Sequence, residues 1–154
     1  MPDLSTLALT AGLIVAGASG AQLVKSPEAW PRTVGAFGQR LADQTGFYIV
    51  QTGSYALLTR ATGYRADTEA CPRRERLGCA VVRTFTAYDR NGVRRLNTPL
   101  MTSIALGTGV SLAWRPERQD PDKALAFVGT RLGIVVGGYV AERVFVDWWK
   151  SRNP

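Results

Sequence analysis

Two cysteines are the most reactive side chains of this 154-residue chain, and their chemistry depends on the compartment. Cys71 and Cys79 lie eight positions apart, so they could close a small disulfide loop in an oxidising compartment and would remain thiols in the cytoplasm. The chain contains no histidine, which removes the usual base of a cysteine nucleophile and the commonest metal ligand. Two cysteines alone do not build a structural zinc site.

The stretch 60–95 contains nine arginines against four acidic residues, and the whole chain carries a formal net charge of +7. This balance favours an anionic partner such as lipid headgroups, polysaccharide or nucleic acid. We predict contact with lipid phosphates, and we disfavour nucleic acid because no recognition motif is present. A solvated charged loop is the alternative interpretation. The arginines predicted to contact an anion are Arg73, Arg74, Arg76, Arg94 and Arg95.

Catalytic patterns are missing from the sequence. We find no glycine-rich phosphate loop between a strand and a helix, and no convincing pair of carboxylates for acid–base chemistry. We therefore predict a protein that is not an enzyme, with no cofactor site and no metal site.

The first element that must position these residues is an uncharged run of 21 residues at 4–24. At about 1.5 Å per helical residue, such a run can cross the apolar core of a bilayer. A cleaved signal peptide is the alternative, because residues 18–21 resemble a cleavage site. We expect the helix to be retained, since no lysine or arginine precedes it and Asp3 stands in their place.

Three further helices are predicted at about 33–59, 98–114 and 121–149. Asp120-Pro121-Asp122 is typical of a helix start, with a cap followed by proline and an acid in the first turn. Between the second and third helices, Asn91-Gly92 separates two strand-like runs and indicates a β-hairpin within a basic loop at 60–96. The prediction is a mainly α single domain, 1–154: a membrane-associated bundle of about four Gly/Ala-rich helices with a small hairpin in its basic centre.

Small residues recur at four-residue spacing in three of these helices. Glycine inside a helix in water costs roughly 1 kcal/mol relative to alanine, whereas in lipid small residues allow helix backbones to approach. We predict that the fourth helix packs its glycine stripe against the first or third helix, and a tightly packed soluble bundle is the alternative. The residues assigned to helix packing are Gly12, Ala16, Gly20, Gly107, Gly129, Gly133 and Gly137.

The distribution of charge and tryptophan suggests a topology. If the first, third and fourth helices span and the second lies along the surface or within the bundle, the basic segments all fall on one side, which the positive-inside rule places in the cytoplasm. Those segments are Lys25 with Arg32, the arginine-rich middle, and Lys150 with Arg152. Tryptophan favours the membrane boundary, and four tryptophans stand near the ends of apolar runs. They are Trp30, Trp114, Trp148 and Trp149.

Two stretches resemble an uncharacterised family of small bacterial envelope proteins. Trp30 is followed by Gly35-Ala36-Phe37-Gly38-Gln39-Arg40, similar to the family's Trp and Gly-x-Phe-Gly-x-Arg pattern, and a hairpin follows near Asp89-Arg90-Asn91-Gly92. The chain departs from the family at 59–63, where acidic residues are usual. The resemblance implies a bacterial cell-envelope location and a retained first helix, but no activity.

Together these patterns predict a non-catalytic, membrane-embedded structural or accessory subunit that contacts lipid and forms a homo-oligomer or joins a larger membrane complex. The alternative is a soluble or peripheral module that binds an anionic ligand through its arginine-rich hairpin. Retention of the protein in membranes washed with carbonate and salt is the observation that would best separate the two.

Overall fold

A computed structural model describes residues 4–23, 25–67, 71–72 and 76–150. It is mainly helical with one two-stranded antiparallel hairpin. The elements, in chain order, are α1 (Leu4–Leu23), α2 (Val34–Thr62), α3 (Arg76–Phe85), β1 (Thr86–Tyr88), β2 (Arg94–Leu96), α4 (Thr98–Ala113), a 3-10 turn (Pro116–Gln119) and α5 (Pro121–Lys150). The four long helices predicted from the sequence are therefore present, with ends within a few residues of those expected.

Local polar residues define where these helices begin and end. The Thr33 side chain accepts a hydrogen bond from the first turn of α2, and Asn97 does the same for α4. The Asp120 carboxylate accepts from the amides of residues 122 and 123 at the start of α5. At the end of α2, Gly63 adopts φ 72°, a left-handed conformation that glycine accommodates without strain.

Helix α2 is the central helix of the bundle, and α1 runs antiparallel to it. Gly17 of α1 lies against the Gln44 side chain. Gln22, which follows Gly17 by five residues on α1, accepts a hydrogen bond from Arg40, which precedes Gln44 by four residues on α2. The two helices therefore pass each other in opposite directions.

Helix α4 also runs antiparallel to α2. The Ser111 hydroxyl near the end of α4 donates to Asp43, whereas Gly107, one turn earlier, lies against Gln51 further along α2. The inner face of α4 also buries Leu100 and Ile104. This pairing buries one face of α2, on which Asp43, Phe47 and Gln51 lie.

Helix α5 runs parallel to α2, because Asp43 lies near Arg131, and Gln51 binds Tyr139 about two turns further along both helices. The loops at 25–33 and 114–120 therefore lie at one end of the bundle. The hairpin and the last turns of α5 lie at the other end, and we call these the loop end and the hairpin end. The predicted one-sided arrangement of basic segments is wrong, since residues 25–32 and the hairpin lie at opposite ends.

The hairpin at the second end has the predicted Asn91-Gly92 turn. Thr86 pairs with Leu96 and Tyr88 with Arg94. The Asp89 carboxylate accepts from the amides of residues 91 and 93, at 2.9 Å in both cases, which fixes the turn.

Helix α3 was not expected, because the run 80–88 is rich in β-branched and aromatic residues and favoured a strand. The helix continues to Phe85, and the strand is confined to Thr86–Tyr88. Ala80 and Thr84 form its buried stripe, and the Thr84 hydroxyl donates to the Ala80 carbonyl. Tertiary contact with α5 therefore overrides the local preference for a strand.

Candidate functional site

A buried carboxylate on α2 links three helices near the loop end. Asp43 accepts two hydrogen bonds from Arg115, at 3.1 Å from Nε and 3.0 Å from Nη2. Its other oxygen accepts from Trp114 Nε1 at 3.1 Å and from the Ser111 hydroxyl. The Asp43 and Arg115 side chains are 1% and 3% exposed. The arrangement compensates a buried charge with an opposite charge and with neutral donors.

Arg131 on α5 belongs to the same network and is 8% exposed. Its Nη2 lies 3.7 Å from the Asp43 carboxylate, and its Nη1 donates to Gln44 at 2.8 Å. The guanidinium also lies 4.1 Å from the centre of the Phe47 ring, a cation–π contact. We call the polar cluster of Asp43, Arg115 and Arg131 the buried ion network.

Arg40 does not belong to the buried ion network, because its hydrogen-bond partners are neutral oxygens. Its guanidinium donates to the backbone carbonyls of Ser26 at 2.9 Å, Trp30 at 2.7 Å and Pro31 at 3.1 Å, and also to the Gln22 side chain. The side chain is 1% exposed. Arg40 thus fixes the loop between α1 and α2, a role that the motif containing this residue did not reveal.

A second buried carboxylate lies at the hairpin end. Asp67 forms ion pairs with Arg83 at 3.3 Å and with Arg94, and its backbone carbonyl accepts from Arg143 of α5 at 2.6 Å. These contacts connect α3, the hairpin and α5 around one residue. Their effect is to attach the basic loop to the helical bundle.

The arginines predicted to bind an anion are partly engaged within the chain. Arg94 is paired with Asp67, and Arg95 Nε donates to Asp89 at 2.7 Å. Arg76 has a buried Nε that makes no hydrogen bond to the described residues. Arg73 and Arg74 lie outside the described residues. The structure therefore brings no open cluster of these five side chains together among the residues it describes.

Cys71 and Cys79 are joined by a disulfide, with their Cα atoms 5.8 Å apart. The sequence allowed this bond but did not require it. The bond connects the segment before α3 to the first turns of that helix.

The small-residue stripes differ in what they contact. A Cβ added at Gly107 would lie 3.1 Å from the Gln51 and Phe47 side chains, so this glycine allows α2 and α4 to approach closely. The other predicted packing glycines have no described atom within 4 Å of that position, and Ala16 is exposed. They are Gly12, Gly20, Gly129, Gly133 and Gly137.

The prediction that the glycine stripe of α5 packs on the first or third helix is therefore wrong within the described chain. The inward stripe of α5 is Phe127, Arg131, Val135 and Tyr139, two positions away and so on the opposite side. On α1 the packed positions are Gly17 and Ala18. The buried arginine, which needs a partner, was the signal that could have identified the inward face.

The outer surface of the bundle is apolar. Leu125 is 73% exposed and Ile134 is 66% exposed on α5, and large aliphatic side chains are also exposed on the other long helices. Those on the other helices include Val15, Ile49, Leu57, Leu106 and Val110. Among the described residues, one helix is long and apolar enough to cross a membrane, at Pro121–Phe145.

Comparisons of the chain with protein-family models, with functionally characterised proteins and with solved structures yield no match.

Proposed function

We propose that this protein is a non-catalytic integral membrane component in which α1, α2, α4 and α5 cross the bilayer side by side. The observation that carries the proposal is an inverted distribution of polarity. Charged and amide side chains are buried between the helices, whereas large aliphatic side chains cover the outside. On α2, α4, α5 and the segment that follows α4, the buried polar side chains are Arg40, Asp43, Gln51, Ser103, Thr108, Ser111, Arg115 and Arg131.

This distribution is expected of a protein that has lipid as its solvent. A charged side chain facing the bilayer centre costs about 2.5–3.5 kcal/mol on insertion scales, so charges within a membrane protein turn inward and pair. In water the same fold would leave these aliphatic side chains exposed, so they would contribute little hydrophobic stabilisation to offset the cost of desolvating the buried ions.

The lengths of the uncharged outer surfaces support the same proposal. On α5 no charge faces outward between Lys123 and Glu142, and these 19 helical steps span about 28 Å. On α2 the outward-facing residues between Gln39 and Arg60 are also uncharged, over about 31 Å. Both lengths match a hydrocarbon core about 30 Å thick.

The contacts of the buried polar side chains support a structural or accessory role better than a catalytic role. Asp43, Arg115 and Gln51 bind other side chains of the bundle, so their polar groups serve to join helices. A peripheral module that grips an anion through its hairpin is less well supported, since Arg94 and Arg95 pair with acids of the same chain. The location in a bacterial envelope rests on the sequence resemblance.

The proposal is tested by placing a charge on the outer surface. Ile134→Arg would put a guanidinium near the middle of the apolar surface, whereas Leu23→Arg adds one at the end of α1, where the helix dipole favours a cation. We expect the parent and Leu23→Arg to remain in membranes washed with alkaline carbonate and high salt, and Ile134→Arg to be depleted from them.

A soluble bundle would tolerate an arginine at position 134 as well as one at position 23. Substitutions at exposed positions of a soluble protein usually change stability by no more than about 0.5 kcal/mol. Recovery of all three proteins as monodisperse species without detergent would therefore exclude the membrane proposal.

A further inference from the structure

A shallow groove on the outside of α2 ends at an arginine near the hairpin end. It encloses about 470 Å³ and is lined by Ala56, Leu57, Thr59, Arg60 and Tyr64. Its lining is apolar on the side toward the centre of the bundle and polar on the side toward the hairpin. A groove with this gradient suits an amphipathic ligand.

The Arg60 side chain is exposed and makes no hydrogen bond or ion pair with the described residues. Arginines near a helix end often bind the last carbonyls, but here that position is already filled. Arg90 donates to the carbonyls of Ala61 and Thr62, and the amide of Gly63 donates to the carbonyl of Thr59. The Arg60 guanidinium is therefore available to a ligand, unlike that of Arg90.

An exposed apolar strip continues from Arg60 along α2. Leu57, Gly53 and Ile49 face outward at intervals of three or four residues, and nothing lies within 4 Å of a Cβ placed on Gly53. From Arg60 to Ile49 the strip extends about 16 Å at 1.5 Å per residue. That length is close to one leaflet of a hydrocarbon core about 30 Å thick.

We infer that this groove binds one anionic phospholipid, with the phosphate at Arg60 and an acyl chain along Gly53. The inference rests on the proposed membrane function, which puts Arg60 at headgroup level. A guanidinium forms charge-assisted, bidentate hydrogen bonds with phosphate. The Tyr64 ring beside it belongs to a class of side chain that favours the membrane boundary.

The test is native mass spectrometry of the full chain in detergent, titrated with phosphatidylglycerol or with phosphatidylcholine of the same acyl chains. We expect the parent to bind one phosphatidylglycerol more tightly than phosphatidylcholine. Arg60→Gln should weaken phosphatidylglycerol binding about tenfold, the loss of one strong charge-assisted contact. Arg118→Gln removes the same charge at the loop end and should leave the preference unchanged.

The acyl-chain part of the site is tested separately. Gly53→Leu should weaken binding of both lipids by filling the strip, while Gly20→Leu, at a position that is equally free of neighbours, should have no effect. Equal losses in Arg60→Gln and Arg118→Gln, or no lipid preference in the parent, would overturn the inference while the chain still resists carbonate. If the parent is released by carbonate, the membrane proposal and this inference both fail.

Discussion

Neutralising Asp43 is the most direct perturbation of the buried ion network. The substitution Asp43→Asn preserves the size of the side chain but removes the negative charge that Arg115 binds at 3.0 Å and Arg131 approaches to 3.7 Å. Arg115 retains Glu117 at 3.3 Å. Arg131 retains the neutral oxygen of Gln44, so its buried positive charge is left without a compensating anion at contact distance.

Breaking a buried ion pair by removing one partner costs about 3–5 kcal/mol. For a chain of 154 residues, each 1 kcal/mol shifts the unfolding midpoint by roughly 2–4 °C, so Asp43→Asn should lower it by roughly 6–20 °C. The measurement is thermal unfolding of the detergent-purified protein, followed by circular dichroism. The matched control is Asp120→Asn, because Asp120 forms an exposed pair with Lys123 that is worth about 0–1 kcal/mol.

Equal midpoints for Asp43→Asn and Asp120→Asn would refute this reasoning, since the network would then contribute no more than a surface pair. If Asp43→Asn yields too little folded protein, the double variant Asp43→Asn, Arg131→Met removes the stranded charge as well. Recovery of folded protein in the double variant is expected, because Arg115 keeps its ion pair with Glu117 and no buried charge is then left without a partner. Failure of the double variant together with a normal Arg131→Met protein would count against a purely electrostatic role.

The remaining predictions concern packing, pH and redox state. Gly107→Leu should lower the free energy of unfolding by about 1–3 kcal/mol through overpacking, whereas Gly133→Leu should unfold at the same temperature as the parent. A larger loss of stability in Gly133→Leu than in Gly107→Leu would show that the outer face of α5 is packed. The amide of Val93, and then the guanidinium of Arg95, hold the pKa of Asp89 below its usual range, so its stabilising effect is present above the unfolded value of about 3.9 and is lost as the pH falls through the folded value. The difference in midpoint between the parent and Asp89→Asn should therefore shrink on acidification, and a constant difference would contradict the assignment. Finally, we predict that the hairpin end faces an oxidising compartment, where a disulfide persists. The two cysteines should then resist maleimide in intact cells until a reductant is added, and rapid labelling without reductant would exclude that orientation.

The long helices were predictable because their signals are local. Long uncharged runs indicate apolar helices. Side chains such as Asn97 and Asp120 cap the helices that follow them, so they mark where those helices begin. Helix α3 was not predictable in this way. The residues of 80–85 prefer extended structure, and the buried position of Ala80 depends on residues of α5 that lie far along the chain.

The inward faces of the helices were harder to predict than their positions. Four-residue glycine spacing gives the period of a stripe but not the direction in which it points. It identified Gly107 correctly and placed Gly133 on the wrong side of α5. The arginine partners of Asp43 lie 72 residues away and further, and no sequence spacing connects a carboxylate with arginines at that separation.

The separation of these partners in the chain has a consequence for biosynthesis. The ribosome completes α2, which carries Asp43, long before it reaches Arg115 and Arg131. A carboxylate that enters lipid alone costs about 2.5–3.5 kcal/mol, so α2 should not leave the insertion machinery until α4 and α5 have emerged. A chain stopped at residue 97 should consequently stay anchored by α1, while the residues after α2 fail to cross the membrane. Labelling of a cysteine placed at Asn91 from the side that the hairpin end normally faces would show that α2 inserts without its partners. Such delayed release would make completion of the last helix the point at which the cell can distinguish a finished protein from one to be degraded.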